Sequence, residues 1–148
     1  MSPRITVLST LLALALGSGT ALAQELPDGA VRIVAQALAE AVTARDADAA
    51  STLCSVPANI DGEVVATAEA LRNRWRRTLD RDDLRGLVLE RVEVLTLEAA
   101  VARYGTPPRR LGELDPESVV AVITWNRAQL VAVLAERSGR WAVIAVTD

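Results

Sequence analysis

The sequence lacks histidine, lysine and phenylalanine, and has one cysteine and one tyrosine. Without histidine, it cannot form a Ser-His-Asp triad, a Cys-His pair or an imidazole metal ligand. A single cysteine, Cys54, forms neither an internal disulfide nor a CxxC redox pair. Because Cys54 follows Leu53 at the end of a short helical pattern, we expect it to be a buried, small apolar residue.

The charge balance also excludes a class of partner. All 16 basic residues are arginine, the acidic residues number 19, and the net charge is −3. Domains that bind nucleic acid carry a basic excess, so we expect no nucleic-acid partner. Acidic residues are interspersed among the arginines, which favours a GC-rich coding sequence over an anion-binding surface.

Residues 1–23 have the layout of a secretory signal peptide. Arg4 precedes an apolar run from Ile5 to Leu16, and Ala21-Leu22-Ala23 forms a small-residue cleavage site before Gln24. The run is shorter than the about 20 residues of a membrane-spanning helix. We therefore predict cleavage after Ala23, a periplasmic or secreted protein with no membrane span, and a single domain over residues 24–148.

Helical periodicity marks the first half of this domain. Asp28, Asp46 and Thr67 are predicted N-caps of three helices, and the first helix should end near Arg45. We expect Pro57 to end helical structure before a short strand that enters a turn at residues 59–62. The third helix should bury one face, formed by Ala68, Leu71, Trp75 and Leu79.

Strand signals dominate the second half. Residues 87–97 read as a strand, whereas residues 97–104 are ambiguous between a helix and a strand. Residues 105–118 are rich in proline and glycine and predict a loop that forms a rim. Three antiparallel strands should close the chain, at about residues 119–125, 129–136 and 140–147. Helices followed by a β-meander predict an α+β fold with helices on one face of a sheet.

The closing strands are apolar on both faces. Val119, Ala121 and Ile123 alternate with Val120 and Val122, and the last strand repeats this pattern. A sheet with one face in water should alternate apolar with polar residues. We therefore expect the helices to cover one face and a second subunit to cover the other, in a homodimer formed through the sheet.

Four segments carry a family resemblance: residues 44–49 (ARDADA), 61–65 (DGEVV), 70–75 (ALRNRW) and 134–143 (LAERSGRWAV). With the order of elements, they resemble the nuclear transport factor 2-like (NTF2-like) superfamily, which includes SnoaL-like and ketosteroid-isomerase-like proteins. The resemblance implies three N-terminal helices packed on a strongly curved, mainly antiparallel sheet in a cone-like fold. It also implies frequent dimers, a pocket between helix and sheet, and members that are either enzymes or binding domains.

Few residues fit a catalytic site of that superfamily. A ketosteroid-isomerase-type site would need a tyrosine, a base and a protonated acid, and only Tyr104 is present, with no acid matched to it. Dehydratase-type members rely on histidine, so that chemistry is excluded. The closing strands contain no aspartate, which disfavours an epoxide hydrolase. Tyr104, Trp125 and Trp75 remain candidates for lining a ligand pocket.

No metal or cofactor site is expected. Asp80, Asp82 and Asp83 lack the loop spacing of a calcium site and read as a solvated helix end beside arginines. The sequence thus favours an exported, non-catalytic domain that binds a small apolar ligand or a protein partner in a helix/sheet cavity.

Two alternatives stay open. One is a lyase or isomerase that uses carboxylate general-base catalysis in the same cavity. The other is a structural dimer whose pocket is filled by its own side chains. A cavity of about 300 Å³ with a buried carboxylate near Tyr104 would favour an enzyme, and an apolar cavity would favour binding.

Overall fold

Helices precede most of the strands along the chain, as the α+β pattern predicts. The computed structural model describes residues 29–148, so the predicted signal peptide, its cleavage site and the Asp28 cap lie outside the described residues. The elements are α1 (Gly29–Thr43), α2 (Ala47–Thr52), β1 (Cys54–Ile60), β2 (Glu63–Val65), α3 (Ala68–Leu79), β3 (Leu89–Thr96), α4 (Leu97–Tyr104), β4 (Val119–Trp125), β5 (Gln129–Arg137) and β6 (Arg140–Thr147). The predicted fold class is confirmed.

Side-chain caps fix where three helices begin. The Asp46 carboxylate accepts a hydrogen bond from the Ala49 amide at 2.9 Å, and the Thr67 hydroxyl accepts one from the Ala70 amide at 3.2 Å. Both predicted caps are confirmed. The Thr96 hydroxyl caps α4 through the Ala99 amide at 3.1 Å, so the ambiguous segment is a helix.

Six strands form one sheet in the order β2-β1-β6-β5-β4-β3. All neighbours are antiparallel except β1 and β6, and register shifts interrupt three of the five pairings. Such irregularities bend strands and increase local twist, so the sheet is curved. β1 begins at Cys54 and contains Pro57, so it is longer than the predicted strand near Asn59.

α1, α2 and α3 cover one face of the sheet, here called the inner face. The largest fully buried side chains on this side are Trp75, Leu38, Leu71, Ile123, Leu134, Val31 and Val143. Ala68 was expected on the buried face of α3 but is exposed, because contact with the core begins one turn later, at Leu71. Within residues 29–148, no helix is both long and apolar enough to cross a membrane.

The opposite, outer face is also covered, and the chain itself supplies the cover. Ala100 of α4 packs on Val120 and Val122. Leu111, in the segment between α4 and β4, packs on Val133 and Ala145. The apolar outer face was the reason for predicting a second subunit. Over β4, β5 and β6, the chain itself covers residues of this face.

Candidate functional site

An apolar groove lies between the outer sheet face, α4 and the segment of residues 105–118. Its volume is about 280 Å³. The predicted rim is therefore present, and it belongs to this groove. The lining side chains are all uncharged: Leu97, Ala100, Val101, Tyr104, Thr106, Pro107, Pro108, Leu111, Leu114, Val120, Val122, Gln129 and Val131, with Gly105.

The sequence holds this rim in place from both ends. Gly105 ends α4 with φ +87°, a left-handed value that a glycine adopts without strain. Further along, Leu111 is buried against the sheet. The Asn59 side-chain amide of β1 donates to the Arg110 carbonyl at 2.8 Å, which ties the segment to a strand.

One polar cluster stands at the α4 end of the groove. The Tyr104 hydroxyl donates a hydrogen bond to Glu93 Oε1, and the Arg103 guanidinium contacts Glu93 Oε2 at 2.6 Å. The Glu93 side chain is 16% exposed. The hydrogen bond to Glu93, followed by burial, raises the pKa of Tyr104 above its ordinary value, so the phenol keeps its proton at neutral pH.

This geometry limits what the cluster can do. Each oxygen of Glu93 is already engaged by a donor of the chain, and Glu93 is not among the residues that line the groove. The Tyr104 O–H donates its hydrogen bond to Glu93, so what the phenol oxygen has left for a ligand is its capacity as a hydrogen-bond acceptor. The groove can thus bind an uncharged molecule that carries a donor, whereas Glu93 is poorly placed as a base.

The structure does not bring the three predicted pocket residues together. Tyr104 lines the outer groove, while Trp75 and Trp125 are buried in the core of the inner face. The Trp125 indole N–H donates to the Thr43 hydroxyl at 2.8 Å, which anchors β4 to α1. Trp75 is 1% exposed and fills the space between α3 and the sheet.

A second cavity, of about 340 Å³, opens between α3 and the end of the sheet. Trp75 forms part of its wall, and half of the other lining residues are charged, some of them engaged with one another. The Thr147 hydroxyl donates to Asp61 at 2.9 Å, and Arg81 pairs with Asp148 at 3.6 Å. The family resemblance implies a pocket at this position. In this chain, core side chains such as Trp75 fill the space between α3 and the sheet, and only this opening with charged residues remains, here called the polar mouth.

The acidic cluster after α3 is engaged by arginines. Asp80 pairs with Arg45 at 3.6 Å, while Asp82 pairs with Arg85 at 3.0 Å. Asp83 contacts Arg81 at 2.6 Å. Within residues 29–148, no group of histidine, cysteine, aspartate or glutamate is arranged to hold a metal ion.

Cys54 is a protonated, weakly reactive thiol. It is partly buried and packs against the inner core. Its Sγ donates to the Ala50 carbonyl at 3.4 Å. Burial raises the pKa of the Cys54 thiol to about 11, and the nearby Trp75 indole opposes this only in part. The thiolate, which is the reactive form, is therefore scarce at neutral pH.

No family model and no curated protein matches the sequence. Among solved structures, one similar chain is a Xanthomonas campestris protein described as a calcium/calmodulin dependent protein kinase II association domain. The two chains are 19% identical with a TM-score of 0.47, and the match covers 82% of this chain and 88% of that chain.

Proposed function

We propose that this protein is an exported, non-catalytic member of the NTF2-like superfamily that binds a small, uncharged apolar ligand in the outer groove. The observation that carries the proposal is the groove wall, which has no charged side chain. Its polar side chains are Tyr104, Thr106 and Gln129, and the Tyr104 hydroxyl is held by its hydrogen bond to Glu93. The family assignment rests on the resemblance of the four sequence segments and on the α+β order of the elements.

Desolvation determines the class of ligand. Burying apolar surface contributes about 25 cal/mol per Å² in favour of binding. A charged ligand would lose its hydration in the groove and find no oppositely charged partner on the wall, which is costly. An uncharged molecule with one hydroxyl or amine N–H can instead donate to the Tyr104 oxygen.

The size of the groove points the same way. Ligand pockets usually span about 300–1,000 Å³, so a groove of about 280 Å³ lies just below that range and fits only a small molecule. The wall comes from a capped helix and from a segment that Leu111 and Asn59 fix to the sheet. A largely preformed site of this kind loses little conformational entropy when it binds its ligand.

A matched pair of fluorescent probes tests the proposal. N-phenyl-1-naphthylamine is uncharged and carries an N–H donor, and 1-anilinonaphthalene-8-sulfonate has the same ring system with an added sulfonate. We expect the uncharged probe to bind at least about tenfold more tightly, a difference of about 1.4 kcal/mol. Equal binding, or tighter binding of the sulfonate, contradicts the proposal.

Two substitutions place the probe in the groove. Val101 is a partly exposed wall residue, so Val101→Trp should fill the groove and weaken binding of the uncharged probe about tenfold or more. Val64→Trp is the matched control, because Val64 is an exposed residue of β2 outside the groove. Similar probe affinities of the two variants would place the binding elsewhere.

One observation favours an enzyme as the second candidate. Glu93 is a largely buried carboxylate in contact with the groove residue Tyr104, and a carboxylate is the group that a lyase or isomerase of this kind would use as its general base. To act so, Glu93 would have to release Tyr104 or Arg103 when the ligand binds. In that case wild-type protein would convert its bound ligand, and Glu93→Gln would hold it unchanged, as seen by mass spectrometry of the extracted ligand. Identical ligand from both proteins supports binding alone.

Export and subunit association complete the proposal. The signal-peptide pattern of residues 1–23 supports a periplasmic or secreted location. N-terminal sequencing of protein recovered from the periplasmic fraction should begin at Gln24, and recovery only in the cytoplasm with Met1 intact would contradict export. We also propose a homodimer, as the family resemblance implies.

A further inference from the structure

β3 leaves a long strand edge open. It is an outermost strand of the sheet and pairs with β4 from Leu89 to Thr96. Along its other side, no strand of residues 29–148 is paired with it. The opposite outermost strand, β2, has 3 residues, whereas β3 has 8 and contains no proline. A long edge of this kind is a template on which another strand can pair.

We propose that a second copy of this chain pairs antiparallel with the β3 edge, about a two-fold axis at Val92. The two sheets then become one continuous sheet, with the inner faces on the same side. The surface consists of the β3 edge and the adjoining side of α1. It lies outside the lining of the ligand groove, although Glu93 contacts the groove residue Tyr104. Different variants, Val101→Trp for the groove and Ile33→Arg for the dimer, test the two proposals, so either can fail while the other stands.

Charge complementarity selects this register. Arg91 and Glu93 share a sheet face, because they are two residues apart on one strand. With the axis at Val92, Arg91 lies directly opposite Glu93 of the partner subunit, and the symmetric contact repeats this pair. An axis at Arg91 or at Glu93 would place two like charges opposite each other, which destabilises a strand pair.

Both charged groups can make this contact. Arg91 is exposed and forms no salt bridge within residues 29–148, although its charge acts on Tyr104. Glu93 accepts one interaction on each carboxylate oxygen. A carboxylate has about four lone-pair sites, so Glu93 can accept a further donor from the partner subunit's Arg91.

A second observation lies on the inner side of the same edge. A hollow of about 440 Å³ lies beside α1 and β3, bounded by Ile33, Val92 and Val94 among others. Ile33 is 72% exposed, the most exposed large apolar side chain of the described residues. The two-fold axis at Val92 brings a second α1 to this hollow, so both copies of Ile33 lose contact with water.

The polar residues around the hollow can also form oppositely charged pairs across the proposed two-fold axis. Arg32 and Glu40 stand near the two ends of this side of α1, with Gln36 midway between them. In an antiparallel pair of α1 helices centred on Gln36, Arg32 lies beside Glu40 of the partner subunit. Two oppositely charged pairs on α1 thus add to the two on β3.

Charge reversal in two separate variants tests the register. We expect size-exclusion chromatography with light scattering to give twice the chain mass for the wild-type protein at micromolar concentration. Arg91→Glu and Glu93→Arg should each raise the dimer dissociation constant about tenfold or more, because each places like charges opposite each other twice. An equimolar mixture of the two variants should regain the dimer, since every cross-strand pair is then of opposite charge.

Two further variants serve as controls for the charge reversals. Arg140→Glu reverses an exposed arginine on β6 and should leave the dimer unchanged. Ile33→Arg should also weaken the dimer, without touching the Glu93 cluster, and circular dichroism checks that each variant is folded. A monomeric wild-type protein overturns the proposal. So does a dimer that Arg91→Glu, Glu93→Arg and Ile33→Arg leave intact, because the contact would then lie on another surface.

Discussion

At the scale of single residues, one buried polar contact joins β4 to α1. Trp125 is 3% exposed, and its indole N–H has one partner, the Thr43 hydroxyl. Thr43 in turn donates to the Ala39 carbonyl at 2.7 Å. The result is a short hydrogen-bonded chain from β4 into α1, in which each buried donor depends on the next residue.

Removing the Thr43 hydroxyl should therefore cost more than one exposed hydrogen bond. In Thr43→Val the Trp125 indole N–H stays buried without a partner, so we expect a loss of about 1–3 kcal/mol in the free energy of unfolding. Thr52→Val is the matched control, because Thr52 makes the same bond to a carbonyl four residues earlier but is exposed. Urea denaturation measures both, and equal losses would contradict the account.

Cys54 gives a residue-scale prediction with a defined pH window. The thiol pKa is 9.0 for an exposed cysteine and about 11 in the folded protein. Between these values the unfolded chain loses the thiol proton first, so it binds fewer protons and stability falls as pH rises. Below pH 9 both states keep the proton, and Cys54 contributes no pH dependence there.

Each pH unit between the two pKa values lowers the free energy of unfolding by about 1.4 kcal/mol. From pH 9 to pH 11 the wild-type protein should lose about 2–3 kcal/mol more stability than Cys54→Ala. Other groups, including Tyr104, titrate in both proteins, so their contributions cancel when the stability of Cys54→Ala is subtracted from that of the wild-type protein. Denaturant unfolding at each pH measures it, and parallel pH profiles for the two proteins would show that the thiol pKa is not raised.

At the scale of elements, the caps of α2 and α3 were readable from the sequence, whereas the Thr96 cap of α4 and the pairing partners of the strands were not. Asp46 and Thr67 act locally, on amides three residues away, so their spacing predicted the starts of α2 and α3. Residues 97–104 were ambiguous because the packing of Ala99 and Ala100 depends on the sheet that they meet. Glu93 was likewise missed, since its contact with Tyr104 needs the strand and helix to be adjacent in space.

The cap of α4 can be tested against the cap of α3. Thr96→Ala and Thr67→Ala each remove one side-chain hydrogen bond to a helix N-terminus, so each should cost about 1 kcal/mol of stability. Only α4 borders the groove. We expect Thr96→Ala alone to weaken binding of N-phenyl-1-naphthylamine, and equal effects on binding would mean that α4 does not shape the site.

At the scale of the whole molecule, the second apolar sheet face has two explanations that the sequence cannot separate. Val120, Val122, Val133 and Ala145 are buried, as the alternation indicated. Their cover comes from α4 and residues 105–118, which the sequence marked only as an ambiguous segment and a loop. Because a face buried by its own chain and one buried by a partner have the same composition, only the tertiary arrangement distinguishes them.

The tertiary arrangement places the uncharged cavity on the outer face of the sheet, and not on the face covered by α1, α2 and α3 as expected. The side of the sheet covered by α1, α2 and α3 is filled by Trp75, Leu38 and Ile123, and its open end carries charged groups. The uncharged groove lies on the other face, where Tyr104 is the single pocket candidate from the sequence. The central claim is therefore that an uncharged ligand binds at the outer face.

Amide chemical-shift mapping during titration with N-phenyl-1-naphthylamine tests this claim most directly. We predict that the perturbed amides cluster in α4, in residues 105–118 and at Val120, Val122 and Val131, and that Val101→Trp abolishes the changes. Changes centred on Asp61, Arg74 and Thr147 would place the ligand in the polar mouth between α3 and the sheet and would contradict the account.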